Sequence, residues 1–207
     1  RQRHLTIPCE MCIRDSAGTN FIRTEMPREA MTSVSGTYTQ VQRGRQYFDG
    51  LGRPLQTLTE SATPDAGADL LTATVSYDGL GRDKIIYLPA PGNQNTGELS
   101  TAHVTQAQAF YGDTHPYRET VYEASPLSKV TQQYGPGQAW RTPAPRPVGI
   151  AYTNLPTLAR FKPNGTGIAK TAYQATDITT RTTTDEQGNT VIEYTDLEGR
   201  MIRKDVQ

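Results

Sequence analysis

Apolar and β-branched residues fall in short runs along this chain, and a cluster of Asp and Gly interrupts one run after another. Ile178 through Thr184 is almost wholly β-branched, Thr190–Thr195 is a second β-prone run, and Met201-Ile202-Arg203-Lys204 follows the next interruption. Residues 178–206 therefore predict three strands in a meander, each about six residues long. The same logic places strands near 41–48 and 54–60, and again near 72–77 and 83–88. Thr101 to Tyr111 has few helix breakers and predicts one short helix, capped by Ser100 or Thr101. Tyr117 to Tyr134 reads as a degenerate hairpin turning at Ser125-Pro126-Leu127-Ser128. The stretches 89–97, 136–147 and 154–167 are rich in Pro, Gly and Asn and are expected to be irregular.

The interruptions share a kernel. Tyr47-Phe48-Asp49-Gly50-Leu51-Gly52-Arg53 returns as Ser76-Tyr77-Asp78-Gly79-Leu80-Gly81-Arg82 and as Tyr194-Thr195-Asp196-Leu197-Glu198-Gly199-Arg200. Thr184-Asp185-Glu186-Gln187-Gly188-Asn189 is a fourth copy, with Asn in the Arg place. Asp at the first position can accept a bond from the backbone two residues on and so close an Asx-turn. Three residues after the Asp the chain needs positive φ to restore strand pairing, which is where Gly stands. Asp49, Gly52, Arg53, Asp78, Gly81, Arg82, Asp185, Gly188, Asp196, Gly199 and Arg200 are thus expected to be structural residues of hairpin tips. The fold class expected is all-β: antiparallel hairpin repeats forming part of a larger sheet, with irregular loops and at most one short helix.

Composition sharpens the picture. Leu, Ile, Val and Phe make up about 17% of the chain, a level that marks disorder when net charge is high. Here the formal net charge is zero, and Thr and Tyr are plentiful, so a thin sheet packed on one face is expected instead. A balanced charge offers no basic excess for nucleic acid, and no apolar run is long enough to span a membrane. No charged-then-apolar export signal is visible. Cys9-Glu10-Met11-Cys12 matches C-x-x-C, but no second half-site accompanies it. Met11-Cys12-Ile13-Arg14-Asp15-Ser16 is what a common transposase-adapter DNA encodes. Residues 1–16 are therefore read as a non-native leader, 17–40 as an irregular N-terminal segment, and 41–207 as the repeat region.

Catalytic readings fare poorly. Asp185 with Glu186, and Asp196 with Glu198, are turn residues and not a carboxylate pair across a cleft. His103 is expected on the short helix and His115 in a loop facing water, and neither adjoins a G-x-S-x-G elbow. Gly50-x-Gly52 and Gly165-x-Gly167 lack the Lys and helix start of a phosphate loop. Asn164-Gly165-Thr166 fits a glycosylation acceptor but reads first as a tight turn. Trp140 is expected to plug a small satellite cluster. No catalytic residue, metal or cofactor is expected. Arg53, Arg82 and Arg200 are expected to pair with Asp across their turns or to stack on Tyr, contacts of about 0–1 kcal/mol each.

Tyr77-Asp78-Gly79-Leu80-Gly81-Arg82 resembles the Tyr-Asp-x-x-Gly-Arg signature of the YD-repeat family, also called RHS repeats. The copies at Asp49 and Asp196 match with Phe48 and Thr195 in the Tyr place. The stretch from Gln46 to Gln207 is also similar to the segment of unknown function that precedes the repeats in large bacterial RHS proteins. Carrying that likeness are the run Tyr47–Thr57, then Tyr87-Leu88-Pro89, Glu123-Ala124-Ser125-Pro126-Leu127, Gly135-Pro136-Gly137-Gln138-Ala139-Trp140, and the run Gly188–Tyr194. The resemblance implies hairpins added edge to edge into a spiralling sheet around a hollow shell. Its expected partners are the remainder of that shell and a C-terminal toxin or other polypeptide cargo, in a protein that is secreted or at the cell surface. Both ends of the chain are then expected to be fragment ends. The rival expectation is a surface-binding module that recognises glycan or protein through exposed Tyr and Arg.

Overall fold

The structure, a computed structural model, describes residues 20–27, 41–63, 67–92, 95–154, 158–163 and 165–207. It is an all-β protein of antiparallel hairpins with one α-helix among the described residues. The leader 1–16 with its C-x-x-C, and Asn164, lie outside those residues. The chain divides into two compact units, 1–119 with 136–138, and 120–135 with 139–207.

In the first unit, β1 (Asn20–Pro27), β2 (Val41–Phe48), β3 (Pro54–Thr59), β4 (Leu70–Tyr77) and β5 (Asp83–Tyr87) pair antiparallel, each with its neighbour in sequence. The short β6 (Ala90–Pro91) returns to pair with β4, α1 (His103–Tyr111) lies beside it, and the start of β7 (Tyr117–Tyr122) pairs with β5. Register sets the core. Phe21 stands opposite Tyr47, Tyr47 opposite Gln56, and Gln56 opposite Thr74. One step along the same face, Arg23, Arg45, Leu58 and Leu71 form the next row. Residues two apart share a face, and in β4 the bulge at Thr72 absorbs the extra residue between Thr74 and Leu71, so both rows point the same way. Phe21, Tyr47, Leu58 and Leu71 form the buried cluster of this unit, with Leu55 and Leu99 packed against it.

The second unit holds the end of β7 with β8 (Val130–Tyr134), β9 (Val148–Thr153), β10 (Ala159–Pro163), β11 (Ile168–Ala172), β12 (Ile178–Thr184), β13 (Thr190–Asp196) and β14 (Met201–Val206). β12, β13 and β14 form a meander, β9 joins β8 to β12, and β10 pairs with β11 as a separate two-stranded sheet. Its buried side chains are fewer: Ile150, Ile178 and Thr180. The Thr180 hydroxyl is buried with no hydrogen-bond partner among the described residues.

Five sequence expectations need correction. The segment 17–40 is not wholly irregular, because Asn20–Pro27 is a strand held by β2 along its full length. Phe21 anchors it, with its ring 5.3 Å from that of Tyr47. The stretch 154–167 contains β10, whose partner β11 lies beyond the turn. The helix begins at His103, with Ala102 in the cap position and no side-chain cap bond. Ser100 is instead held by Gln56, whose amide oxygen accepts the Ser100 N–H at 2.8 Å. His115 is half-buried, with its ring 5.3 Å from that of Tyr117. Trp140 stays 39% exposed, its ring lying beside Gly135.

Candidate functional site

Two constructions stand out from the bare sheet: the repeated tips and a buried polar clamp. At the first tip the Asp49 carbonyl accepts the Gly52 N–H at 3.0 Å, and the Asp49 N–H reaches the Arg53 carbonyl at 2.9 Å. Asp49 Oδ1 accepts the N–H groups of Leu51 and Arg53, both at 2.9 Å. Asp49 Oδ2 accepts Arg53 Nε–H at 2.7 Å. Asp78 with Leu80 and Arg82 repeats every one of these bonds, as does Asp196 with Glu198 and Arg200. At Asp185 the side-chain donor is Asn189 Nδ2–H at 2.7 Å. Gly52, Gly81 and Gly199 share a φ of 78°, and Gly188 takes 92°, the left-handed region that glycine enters without Cβ strain. Each tip is a β-turn closed by a glycine bulge.

Each carboxylate is thus occupied on both oxygens. Backbone bonds from the residue four along, followed by that residue's side chain, hold Asp49, Asp78 and Asp196 below the usual carboxylate range. At Asp185 the Asn189 side chain is the leading cause. Such groups stay ionised and hydrogen-bonded, which suits a clasp and not an acid or base in turnover.

The Arg copies carry a second bulge that the Asn copy lacks. Phe48 faces Pro54 while Tyr47 faces Gln56, so Leu55 is the extra residue. Lys84 and Ile202 hold the same place after the tips at Asp78 and Asp196. After Asp185 the register runs evenly from Thr184–Thr190 to Thr183–Val191. Nothing in the five-residue kernel announces this bulge, and the sequence reading missed it.

The structure brings the first two tips together. Arg53 reaches out of its own turn and lies 4.3 Å from the Tyr77 ring centroid, while Tyr77 donates its hydroxyl to the Pro54 carbonyl at 2.6 Å. A Cβ on Gly81 would collide with Arg53 Nη1. Its φ is what requires glycine at Gly81, and a side chain there would in addition make the tip of the Arg53 side chain shift. The tips at Asp185 and Asp196 join opposite ends of β13, so they do not meet in this way. Valine at Gly188 should cost about 1–3 kcal/mol from backbone strain alone. Valine at Gly81 should cost more, because it also unseats Arg53. Equal melting temperatures for the two variants would show that the Arg53 seat contributes nothing.

The clamp lies on the buried face. Arg45 Nε–H donates to Glu60 Oε1 at 2.6 Å, and the Glu60 side chain is 1% exposed. Burial alone would push the Arg45 guanidinium down, but hydrogen bonds and charge from Tyr47 and Glu60 hold it above its ordinary value. Tyr47 donates its hydroxyl to the Gly97 carbonyl at 2.7 Å, and Asp69 Oδ2 accepts the Gly97 N–H at 2.6 Å. The Gly97 α-carbon sits so close that a Cβ would meet Arg45 Nε at 2.7 Å. Gln56 binds Ser100 through both ends of its amide, copying a strand pairing. Asp69, Gly92, Leu99, Ser100 and Gln106 line a small cavity of about 130 Å³ beside this clamp. Arg45, Glu60 and Asp69 were not singled out from the sequence, and Tyr47 and Gln56 entered only as members of the run Tyr47–Thr57; the clamp escapes a local reading because its bonds join residues 15 to 50 apart.

Among the described residues no group of three His, Cys, Asp or Glu is placed to hold a metal ion. No helix among them is long and apolar enough to cross a membrane. No curated protein and no solved structure matches the chain. One family model does match, over residues 23–154, a span that holds the first two tips, the whole polar clamp and α1. That span is close to two thirds of the sequence, and the chain belongs to the family described as a domain of unknown function, DUF6443.

Proposed function

We propose that this chain is a non-catalytic structural module, a stretch of hairpin wall in a bacterial RHS-type protein that encloses or presents a toxin or other polypeptide cargo. The observation that carries the reading is the seat of Arg53 on Tyr77 and Gly81. Neighbouring hairpins locked tip to tip behave as one sheet, and a paired sheet withholds its backbone from proteases. The occupied turn carboxylates fit this role better than turnover. Arg82, the cation that a surface-binding module would present beside Tyr77, is 17% exposed and held by Asp78.

The reading frame in the source DNA, read through both ends, is the test. Further Tyr-Asp-x-x-Gly-Arg hairpins beyond Gln207, followed by a short unrelated tail, are expected. Repeats that give way to lectin-like or wall-anchoring domains would sink the container and favour the surface-binding module. A glycan array then separates the two readings directly: binding lost on Arg82→Ala, with the fold intact, would establish the module.

A further inference from the structure

We infer that Tyr87 and Tyr117 form an oxidative modification site, at which a peroxidase working with hydrogen peroxide joins the two rings into a dityrosine cross-link. The two residues stand opposite each other where β5 pairs with β7, and their ring centroids are 5.2 Å apart at 59°. Leu88 donates its N–H to the Pro116 carbonyl at 3.0 Å. The next pair along, Tyr87 with Tyr117, is therefore a non-hydrogen-bonded pair, the position at which side chains of antiparallel strands come closest. Coupling then asks only for turns about the side-chain torsions, and χ2 of tyrosine is broad.

The surroundings suit phenol oxidation. Both rings are half-buried, so a small oxidant reaches them from solvent while the fold holds them together. Burial, with Tyr117 adding to it, holds the Tyr87 hydroxyl above its ordinary value, so a proton has to leave with the electron. An imidazole lies beside each ring: His103 edge-on to Tyr87 at 5.2 Å, and His115 tilted against Tyr117 at 5.3 Å. His103 Nδ1 faces the Ser100 carbonyl at 3.1 Å, which requires Nδ1–H. Thr114 gives its one hydroxyl proton to Gln138 Oε1, so its oxygen accepts His115 Nδ1–H at 2.9 Å. Each neutral imidazole thus keeps Nε2 as its unprotonated nitrogen, ready to take up a phenolic proton.

The step balances. Each phenol loses one electron and one proton and becomes a phenoxyl radical. The ring carbons next to the two oxygens form the new bond, and the hydrogens they carried move to oxygen, which restores both phenols. Hydrogen peroxide takes the two electrons and two protons and leaves as two waters. The link matters because three residue pairs, from Ile85–Glu119 to Tyr87–Tyr117, join β5 to β7. Between those strands the chain makes the excursion that holds β6, the Gly97 loop and α1. A bond from Tyr87 to Tyr117 closes that excursion and limits the freedom of the unfolded chain, as a disulfide does. No disulfide can do so, since the two cysteines of the sequence are Cys9 and Cys12. The site does not depend on whether the chain is part of a shell.

The test treats the full chain, dilute and monomeric, with a haem peroxidase and hydrogen peroxide. The monomer should lose the mass of two hydrogen atoms and gain the blue fluorescence of dityrosine. Tandem mass spectrometry of a digest should place the link between the peptides that carry Tyr87 and Tyr117. Tyr87→Phe and Tyr117→Phe each keep the ring and should each abolish the monomer's fluorescence, with circular dichroism showing the fold intact. Tyr111→Phe, at an exposed tyrosine of α1, should leave it unchanged. A monomer of unchanged mass, a link mapped to other tyrosines, or fluorescence that survives Tyr87→Phe would overturn the proposal.

Discussion

Leu58→Ala is expected to destabilise the first unit by about 2–5 kcal/mol, a large share of the 5–15 kcal/mol typical of a folded domain. Leu58 has no exposed surface and sits in the centre of a cluster whose other buried members are Phe21, Tyr47 and Leu71. Leu71 faces it across β4 and Arg45 across β2, so neither neighbour can slide in without losing its own pairing. The cavity left by three missing carbons then remains largely open. Urea denaturation gives the measurement, with Leu80→Ala as reference. Leu80 is 67% exposed at a hairpin tip and should change stability by no more than about 0.5 kcal/mol. If the two variants unfold together, the first unit has no core at Leu58.

Glu60→Leu should cost about 3–5 kcal/mol, because it strands the Arg45 guanidinium in a place shaped for a carboxylate. The loss should fall toward the lower end, since Arg45 keeps 18% of its side chain exposed. The informative variant is the double one. Arg45→Met with Glu60→Leu removes both charges, and most of the stability should return, as happens when a buried pair is replaced by apolar residues of similar volume. A double variant as unstable as the single one would mean that the pair holds the Gly97 loop by geometry that no apolar substitute supplies. Chemical denaturation of the unsubstituted protein, the two single variants and the double variant, read as a double-mutant cycle, decides between these.

How legible this protein is depends on how far each interaction reaches along the chain. The tips are written in five adjacent residues, and the chemistry of Asp and Gly suffices to read them. The strands flanking them follow, and β2, β3, β4, β5, β12, β13 and β14 lie within about two residues of where the pattern puts them. β1 was missed because its order comes from Phe21 meeting Tyr47 and from a full register with β2, neither of which the local run of residues reveals. β10 was hidden by Pro163 and the Asn-Gly pair after it, which mark a loop equally well. The helix start was misplaced for a related reason. Ser100 looks like a cap, yet its backbone is taken by Gln56, 44 residues earlier. The clamp is the extreme case: nothing local marks Glu60, at the end of an expected strand, or Asp69 as a carboxylate that the fold buries.

The hydrogen bonds that close each tip run between residues at most four apart. Such a unit asks nothing of the rest of the protein, and a stretch of gene encoding it with its two strands can be duplicated in place. The new copy arrives with its turn already correct, so selection has only the facing side chains of the strands to adjust. The tip at Asp185 shows how much drift this tolerates: Asn189 stands where the other copies have Arg, and the carboxylate is bound all the same. A chain built this way lengthens by whole hairpins, and its history should be readable as insertions that begin and end within strands and never inside a tip.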